Sequence, residues 1–172
     1  MDVKTPLLNK RLLEDYRAEL KTFLAISGDF KEQDKEKRAG AAKVQKLKLE
    51  SCFMRLLEVA LKEDAEVWRE LGRAYFYGYG VDKNLEQSAS WYQLAANSGD
   101  AKAMVALALC LDRDDQGGNL TAAVKWYRKA AELGDTDALK YLALAYNSGR
   151  GVPMDTKEAS RLMIRWFNST GA

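Results

Sequence analysis

Two glycines one residue apart, Gly78 and Gly80 in Tyr75-Phe76-Tyr77-Gly78-Tyr79-Gly80-Val81, are the residue types of a loop that cradles a phosphate with backbone N–H groups. A phosphate-binding loop also needs a closing Gly-Lys-Ser/Thr, and a dinucleotide loop needs a preceding strand and a third glycine. Neither is present, so the glycines read as positive-φ residues of a turn. In the acidic run Asp112, Asp114, Gln116 and Gly117 occupy positions 1, 3, 5 and 6 of a calcium loop, but position 12 is Ala123 where a bidentate glutamate is required. That run reads as a solvated turn. Glu66 and Glu70 share one helical face at the spacing of an acid–base pair, yet Arg69 and Arg73 beside them favour ion pairing. Cys52 and Cys110 form no CxxC, and the chain has no histidine, which removes zinc sites and the Ser-His and Cys-His nucleophile systems. No catalytic, cofactor-binding or metal-binding residue is expected.

The totals are those of an ordinary globular chain: 172 residues with 47% hydrophobic and 30% charged side chains supply enough apolar material for one compact domain or a short solenoid. A net charge of +2 from 27 basic and 25 acidic residues gives no reason to expect nucleic acid or an anionic membrane as partner. The opening Met1-Asp2-Val3-Lys4 lacks a secretory apolar region, and no run approaches the roughly 18 apolar residues of a membrane span. These features predict a cytoplasmic protein whose two cysteines are reduced and buried.

The elements that hold these residues repeat. Asp64 to Asp100 aligns with Asp100 to Asp135: Leu71 falls on Leu107, Gly72 on Ala108, Trp91-Tyr92 on Trp126-Tyr127, and Gly99-Asp100 on Gly134-Asp135. A third copy places Leu142, Ala143, Tyr146, Gly149, Gly151 and Val152 each 71 positions beyond their first-copy counterparts. Periods of 35 and 36 residues indicate two helices per unit. Helix A is predicted at about 65–77, 101–111 and 136–148, and helix B at about 85–97, 120–133 and 156–167. Gly72 and its alanine counterparts thin the surface where helices cross, while Trp91 and Trp126 are expected to be buried, each contributing roughly 2 to 3 kcal/mol. Gly99 and Gly134 suit the left-handed end of a helix, and the aspartates after them suit the cap of the next.

"LGRAYFYGYGV...WYQLAANSGDA" and "YLALAYNSGRGVPMDTKEA" resemble the Sel-one-like repeat family, relatives of the tetratricopeptide repeats. The resemblance implies an all-α fold, a right-handed α–α superhelix of antiparallel helix pairs, and a role as adaptor, regulator or inhibitor through protein contacts. The repeats are assigned to 64–99, 100–134 and 135–172. The second copy departs from the glycine loop, and the third carries Leu162-Met163 and Trp166-Phe167 where the others have Trp-Tyr and Ala-Ala. Such bulk is expected to end the array.

Residues 1–63 are predicted to form an N-terminal helical cap. Leu8, Leu12, Leu13, Tyr16, Leu20, Phe23 and Leu24 recur at helical spacing, and the helix is placed from Asn9 to Ile26. A charged stretch, 27–40, is a linker or a solvated helical extension. A second helix from about Ala41 to Glu63 places Leu56 under Tyr92 and Ala60 under Ala96 when the repeat is shifted back by 36. It reads as a degenerate helix B. The first helix either pairs with it or lies in the groove.

Function is expected at a surface. With Leu71, Gly72 and Tyr75 packed, the concave face carries Glu66, Arg69, Arg73, Phe76 and Tyr77, then Lys102, Val105, Leu109 and Asp112, then Asp137, Lys140, Leu144 and Asn147. Apolar centres among charged neighbours are what anchors and orients a protein segment. The predicted function is a non-enzymatic bacterial regulator or inhibitor of one protein partner, with toxin neutralisation by an immunity protein as a setting drawn from family analogy. A general scaffold and a self-assembling structural protein are the alternatives.

Overall fold

The computed structural model describes residues 4–28, 35–60, 64–113 and 118–170. Among them are eight helices: α1 (Lys4–Gly28), α2 (Lys35–Val59), α3 (Ala65–Tyr77), α4 (Leu85–Asn97), α5 (Ala101–Leu111), α6 (Leu120–Glu132), α7 (Thr136–Ser148) and α8 (Thr156–Thr170). The chain divides after Ser88, inside α4, into two compact units, 1–88 and 89–172.

Local chemistry sets the helix ends. The Asp64 side chain accepts from the N–H groups of Glu66 and Val67, Asp100 from Ala103, and Asp135 from Ala138. Asn84, Asn119 and Asp155 do the same at the starts of α4, α6 and α8. Each cap contributes about 1 kcal/mol. Gly99 and Gly134 take φ of 90° and 88° beyond the ends of α4 and α6, as the sequence requires.

In unit 1, α1 and α2 lie side by side and antiparallel: Gln45 of α2 donates to the Glu19 carbonyl at 3.0 Å, while Asn9, near the other end of α1, donates to Asp64 beyond α2 at 3.2 Å. The first helix therefore pairs with the second. Leu12, Leu13, Tyr16 and Leu20 are buried on one side, and Leu49, Phe53, Leu56 and Ala60 on the other. Phe53 meets Tyr75 edge to face at 5.4 Å, and Trp68 of α3 donates its indole N–H to the Ala60 carbonyl at 2.6 Å. The α1 helix is longer than the apolar pattern predicts, starting at Lys4. Of the charged stretch 27–40, Ser27 and Gly28 belong to α1 and Lys35 to Gly40 to α2; the rest lies outside the described residues.

In unit 2, α6 packs on α5 and α7, and α7 on α8. Ala103, Leu107, Ala108, Ala123, Val124, Tyr127, Ala130, Ala138, Leu142, Ala143 and Leu162 are among its buried side chains. Gly72, Ala108 and Ala143 are all buried. The tryptophans are a correction. Trp91 and Trp126 are only half-buried, and the adjacent Tyr92 and Tyr127 are the buried aromatics. A step of one residue turns about 100° around a helix, so the tyrosine shares the inward face with the alanines three and four residues on while the tryptophan sits at its flank. There Trp126 takes the Lys129 ammonium over its ring at 4.4 Å.

Gly80 and Gly151 fix the same relation in both units. Gly80, at φ 76°, lies so near α2 that a Cβ would stand 2.8 Å from the Leu49 carbonyl oxygen, and one at Gly151, at φ 69°, would stand 2.4 Å from that of Leu120 in α6. Leu49 and Leu120 each precede their glycine by 31 residues. Thus α2 stands to α3 as α6 stands to α7, the relation that Leu56 under Tyr92 predicts.

Candidate functional site

The surface residues singled out by sequence fall into two groups, one in each unit. In unit 1, Glu66, Arg69 and Arg73 are joined by the unanticipated Arg17 of α1. Arg17 reaches Glu66 at 2.8 Å and grips one oxygen of Glu70 with two nitrogens, at 2.8 and 3.2 Å. The Nε of Arg73 lies 3.2 Å from the other oxygen of the buried Glu70, close enough for ion pairing but without the alignment of a hydrogen bond. Hydrogen bonding from Arg17 holds the Glu66 carboxyl below its ordinary value. Burial pulls the Arg17 pKa down, but the bonds to Glu70 and Glu66 outweigh it and leave it raised. Glu66 and Glu70 are therefore engaged in ion pairs that join α1 to α3.

Beside this network Phe76, Tyr77 and Tyr79 form an aromatic ledge. Phe76 meets Tyr77 at 4.8 Å, Tyr77 stacks on Tyr79 at 5.2 Å, and Lys83 lies over Phe76 at 6.0 Å. Tyr77 is 57% exposed. Glycine at 78 and 80 turns the chain sharply enough to bring the three rings together.

In unit 2, Val105 is only 8% exposed and belongs to the core, which corrects its assignment to the open face. Its position holds Arg69 in the first copy and Lys140 in the third, so variation among copies here marks a change of packing. Leu109 is half-buried; Lys102, Asp137, Lys140 and Asn147 are exposed. Lys140 lies over Trp166 of α8 at 5.9 Å. Leu144 stands 49% exposed between two depressions. One is shallow and runs between α7 and α8 along Ala143, Asn147 and Met163. The other is a cleft of about 220 Å³ between α6 and α7, walled by Leu120, Val124, Tyr127 and Tyr141, with Asp112 and Arg150 at its mouth.

Sequence reasoning passed over Tyr127, Tyr141 and Arg150. Tyr127 is 1% exposed and stacks on Tyr141 at 5.2 Å. Its hydroxyl has no hydrogen-bond partner among the described residues. Burial, then the charge of Asp112, pushes the phenol well above its usual pKa, so it stays a neutral donor. Arg150 pairs with Asp112 at 3.0 Å. The available signal was Tyr141, whose position holds Glu70 in the first copy and Ala106 in the second.

Among the described residues no group of three or more His, Cys, Asp and Glu side chains could hold a metal ion. Burial, followed by Glu19, pushes the Cys52 thiol up, away from the reactive thiolate. The calcium reading falls on 114–117, outside the described residues, and Asp112 is engaged by Arg150. No helix among the described residues is long and apolar enough to cross a membrane.

Successive paired helices built on a recurring pattern define an α–α solenoid repeat protein. The Sel1 repeat model matches residues 69–100, 101–135 and 136–167, more than half of the chain, and the protein belongs to the Sel1 repeat family. Repeats of this kind generally mediate protein–protein interaction. A Sel1 repeat protein from Oxalobacter formigenes is 26% identical, with a TM-score of 0.61, over 72% of this chain and 48% of its own. A protective antigen present in uropathogenic Escherichia coli strains, displaying an SLR fold, shares the architecture at 22% identity and a TM-score of 0.63, over 91% of this chain and 38% of its own. The chain thus spans less than half the length of either. No curated protein matches it.

Proposed function

We propose that the protein is a non-enzymatic regulator or inhibitor that binds one specific protein partner through its helix A surfaces, with residues 1–63 acting as the N-terminal cap of repeats at 64–99, 100–134 and 135–172. The observation that carries this is the ledge of Phe76, Tyr77 and Tyr79 beside Arg69 and Arg73. Rigid aromatic rings flanked by guanidinium groups are the residues that dominate binding energy at protein interfaces. The contact set is Glu66, Arg69, Arg73, Phe76 and Tyr77 in unit 1 and Lys102, Leu109, Asp112, Asp137, Lys140, Leu144 and Asn147 in unit 2. A cytoplasmic bacterial setting is drawn from the bacterial sources of the similar structures. Neutralisation of a toxin, in the manner of an immunity protein, is one form of such inhibition.

Affinity capture from the native host tests the reading. One stoichiometric partner is expected, lost when Tyr77 and Arg73 are both changed to alanine in protein that keeps its helical circular dichroism. A panel of weak partners, equal for both forms, would point to a general scaffold. Self-assembly is the second reading, favoured by the exposed Met163, Ile164 and Phe167 of α8. Sedimentation across a wide concentration range separates the two, since a monomer throughout rejects assembly.

A further inference from the structure

We propose that the cleft between α6 and α7 is a socket for a tyrosine side chain presented by the protein partner, an assignment that relies on the protein-binding reading for the source of that tyrosine. Unit 1 shows how such a place is filled. Shifted by 71 residues, Ala123, Tyr141, Leu144 and Arg150 of the cleft become Cys52, Glu70, Arg73 and Tyr79. Those four residues act electrostatically on the hydroxyl of Tyr16. Tyr16 comes from α1, is wholly buried, and donates to the Tyr79 carbonyl at 3.1 Å.

Unit 2 has the same frame, set by Gly151 against Leu120 as Gly80 is set against Leu49, and there the stacked rings of Tyr127 and Tyr141 wall the space without closing it. A cleft of about 220 Å³ remains. An apolar cavity of roughly 150 Å³ takes up benzene, so a phenol ring has room. The walls select what enters. A leucine would leave the Tyr127 hydroxyl buried and unpaired, which is unfavourable. A charged side chain would need a counter-ion, and Asp112 and Arg150 at the mouth already pair with each other. An incoming tyrosine satisfies both conditions, its ring against Val124 and Tyr141 and its hydroxyl against that of Tyr127.

The probe is p-cresol, the tyrosine side chain as a free molecule, with toluene as its apolar control. Methyl resonances of Ala123, Leu144 and Ala145 are expected to shift saturably with p-cresol and several-fold more weakly with toluene. Leu144→Trp, a change at an exposed rim position, should abolish both responses without loss of fold. Tyr127→Phe should erase the preference for p-cresol while leaving the melting temperature unchanged or higher, because an unpaired buried hydroxyl is removed. Absence of saturable shifts, equal affinity for p-cresol and toluene in the unaltered protein, or an unchanged p-cresol response in Leu144→Trp would each overturn the socket. The small-molecule arm needs no partner. Its failure leaves capture of a partner through Tyr77 and Arg73 standing, whereas seating of p-cresol with no partner recovered from the host leaves the cleft a phenol site and overturns both the partner's tyrosine and the proposed function.

Discussion

The α2–α3 junction of unit 1 and the α6–α7 junction of unit 2 are one backbone design completed in two ways. In both, a glycine at positive φ presses the loop after helix A onto the backbone of a helix B, at mid-length in α2 and at the start of α6. In unit 1 the space above that contact is closed by Tyr16 and by the Arg17–Glu70 pair; in unit 2 Tyr141 stands where Glu70 stood, and a cleft stays open. The frame is thus set by residues that recur, and the character of each junction by residues that vary between copies. A repeat protein gains a private binding feature at the position where its copies disagree.

Emptying the filled junction should have the largest effect. Tyr16→Ala removes a wholly buried ring and is expected to lower unfolding free energy by about 3–5 kcal/mol in urea titration. A loss below about 1 kcal/mol would mean that α1 does not seal this place. The shared frame comes next. Gly151→Ala drives a Cβ into the backbone of Leu120, where nothing flexible can yield, and should destabilise by roughly 2–4 kcal/mol. Gly134→Ala, also at positive φ but with nothing within 4 Å, should show only the left-handed penalty of about 1 kcal/mol. Equal losses at the two glycines would remove the close-approach argument.

The ion network ranks third. Glu70→Ala leaves Arg17 and Arg73 without their shared carboxylate and is expected to destabilise by about 2–3 kcal/mol. The double change Glu70→Leu with Arg17→Leu should recover most of that loss, since apolar packing can replace a buried ion pair. The smallest effect is on pH dependence. The folded-state pKa of Glu66 is depressed, so its contribution is present above its ordinary value of 4.5 and is lost as pH falls through the lower folded value. Arg17→Ala should therefore be less stable than the unaltered chain at neutral pH and show a slightly shallower decline below about pH 4.5, so that the two converge in acid. The effect is small because Glu66 is half exposed and screened by solvent.

The helix pairs were legible because their determinants are local or periodic. Asp100 and Asp135 cap the helices that follow them, Gly99 and Gly134 end the preceding ones, and the buried Gly72, Ala108 and Ala143 recur at the repeat period. The Arg17–Glu70 pair was not legible, because it joins residues 53 apart through the relative rotation of two helices, which no spacing in one dimension encodes. The assignment of Val105 to the open face failed because averaging over copies treats helix A as one element, whereas its position carries arginine, valine and lysine in turn. The cleft escaped for a related reason: it is a difference in filled volume between two equivalent places, visible only once both are built.

The indole N–H of Trp68 bonded to the Ala60 carbonyl places a fluorophore at the seam of α2 and α3. The chain has four tryptophans, and the others, at 91, 126 and 166, lie in the second unit. With those three replaced by phenylalanine, emission would report the first unit alone, its wavelength moving red when water reaches the seam. Opening of the N-terminal helices could then be timed separately from global unfolding, giving each half of the molecule its own optical clock.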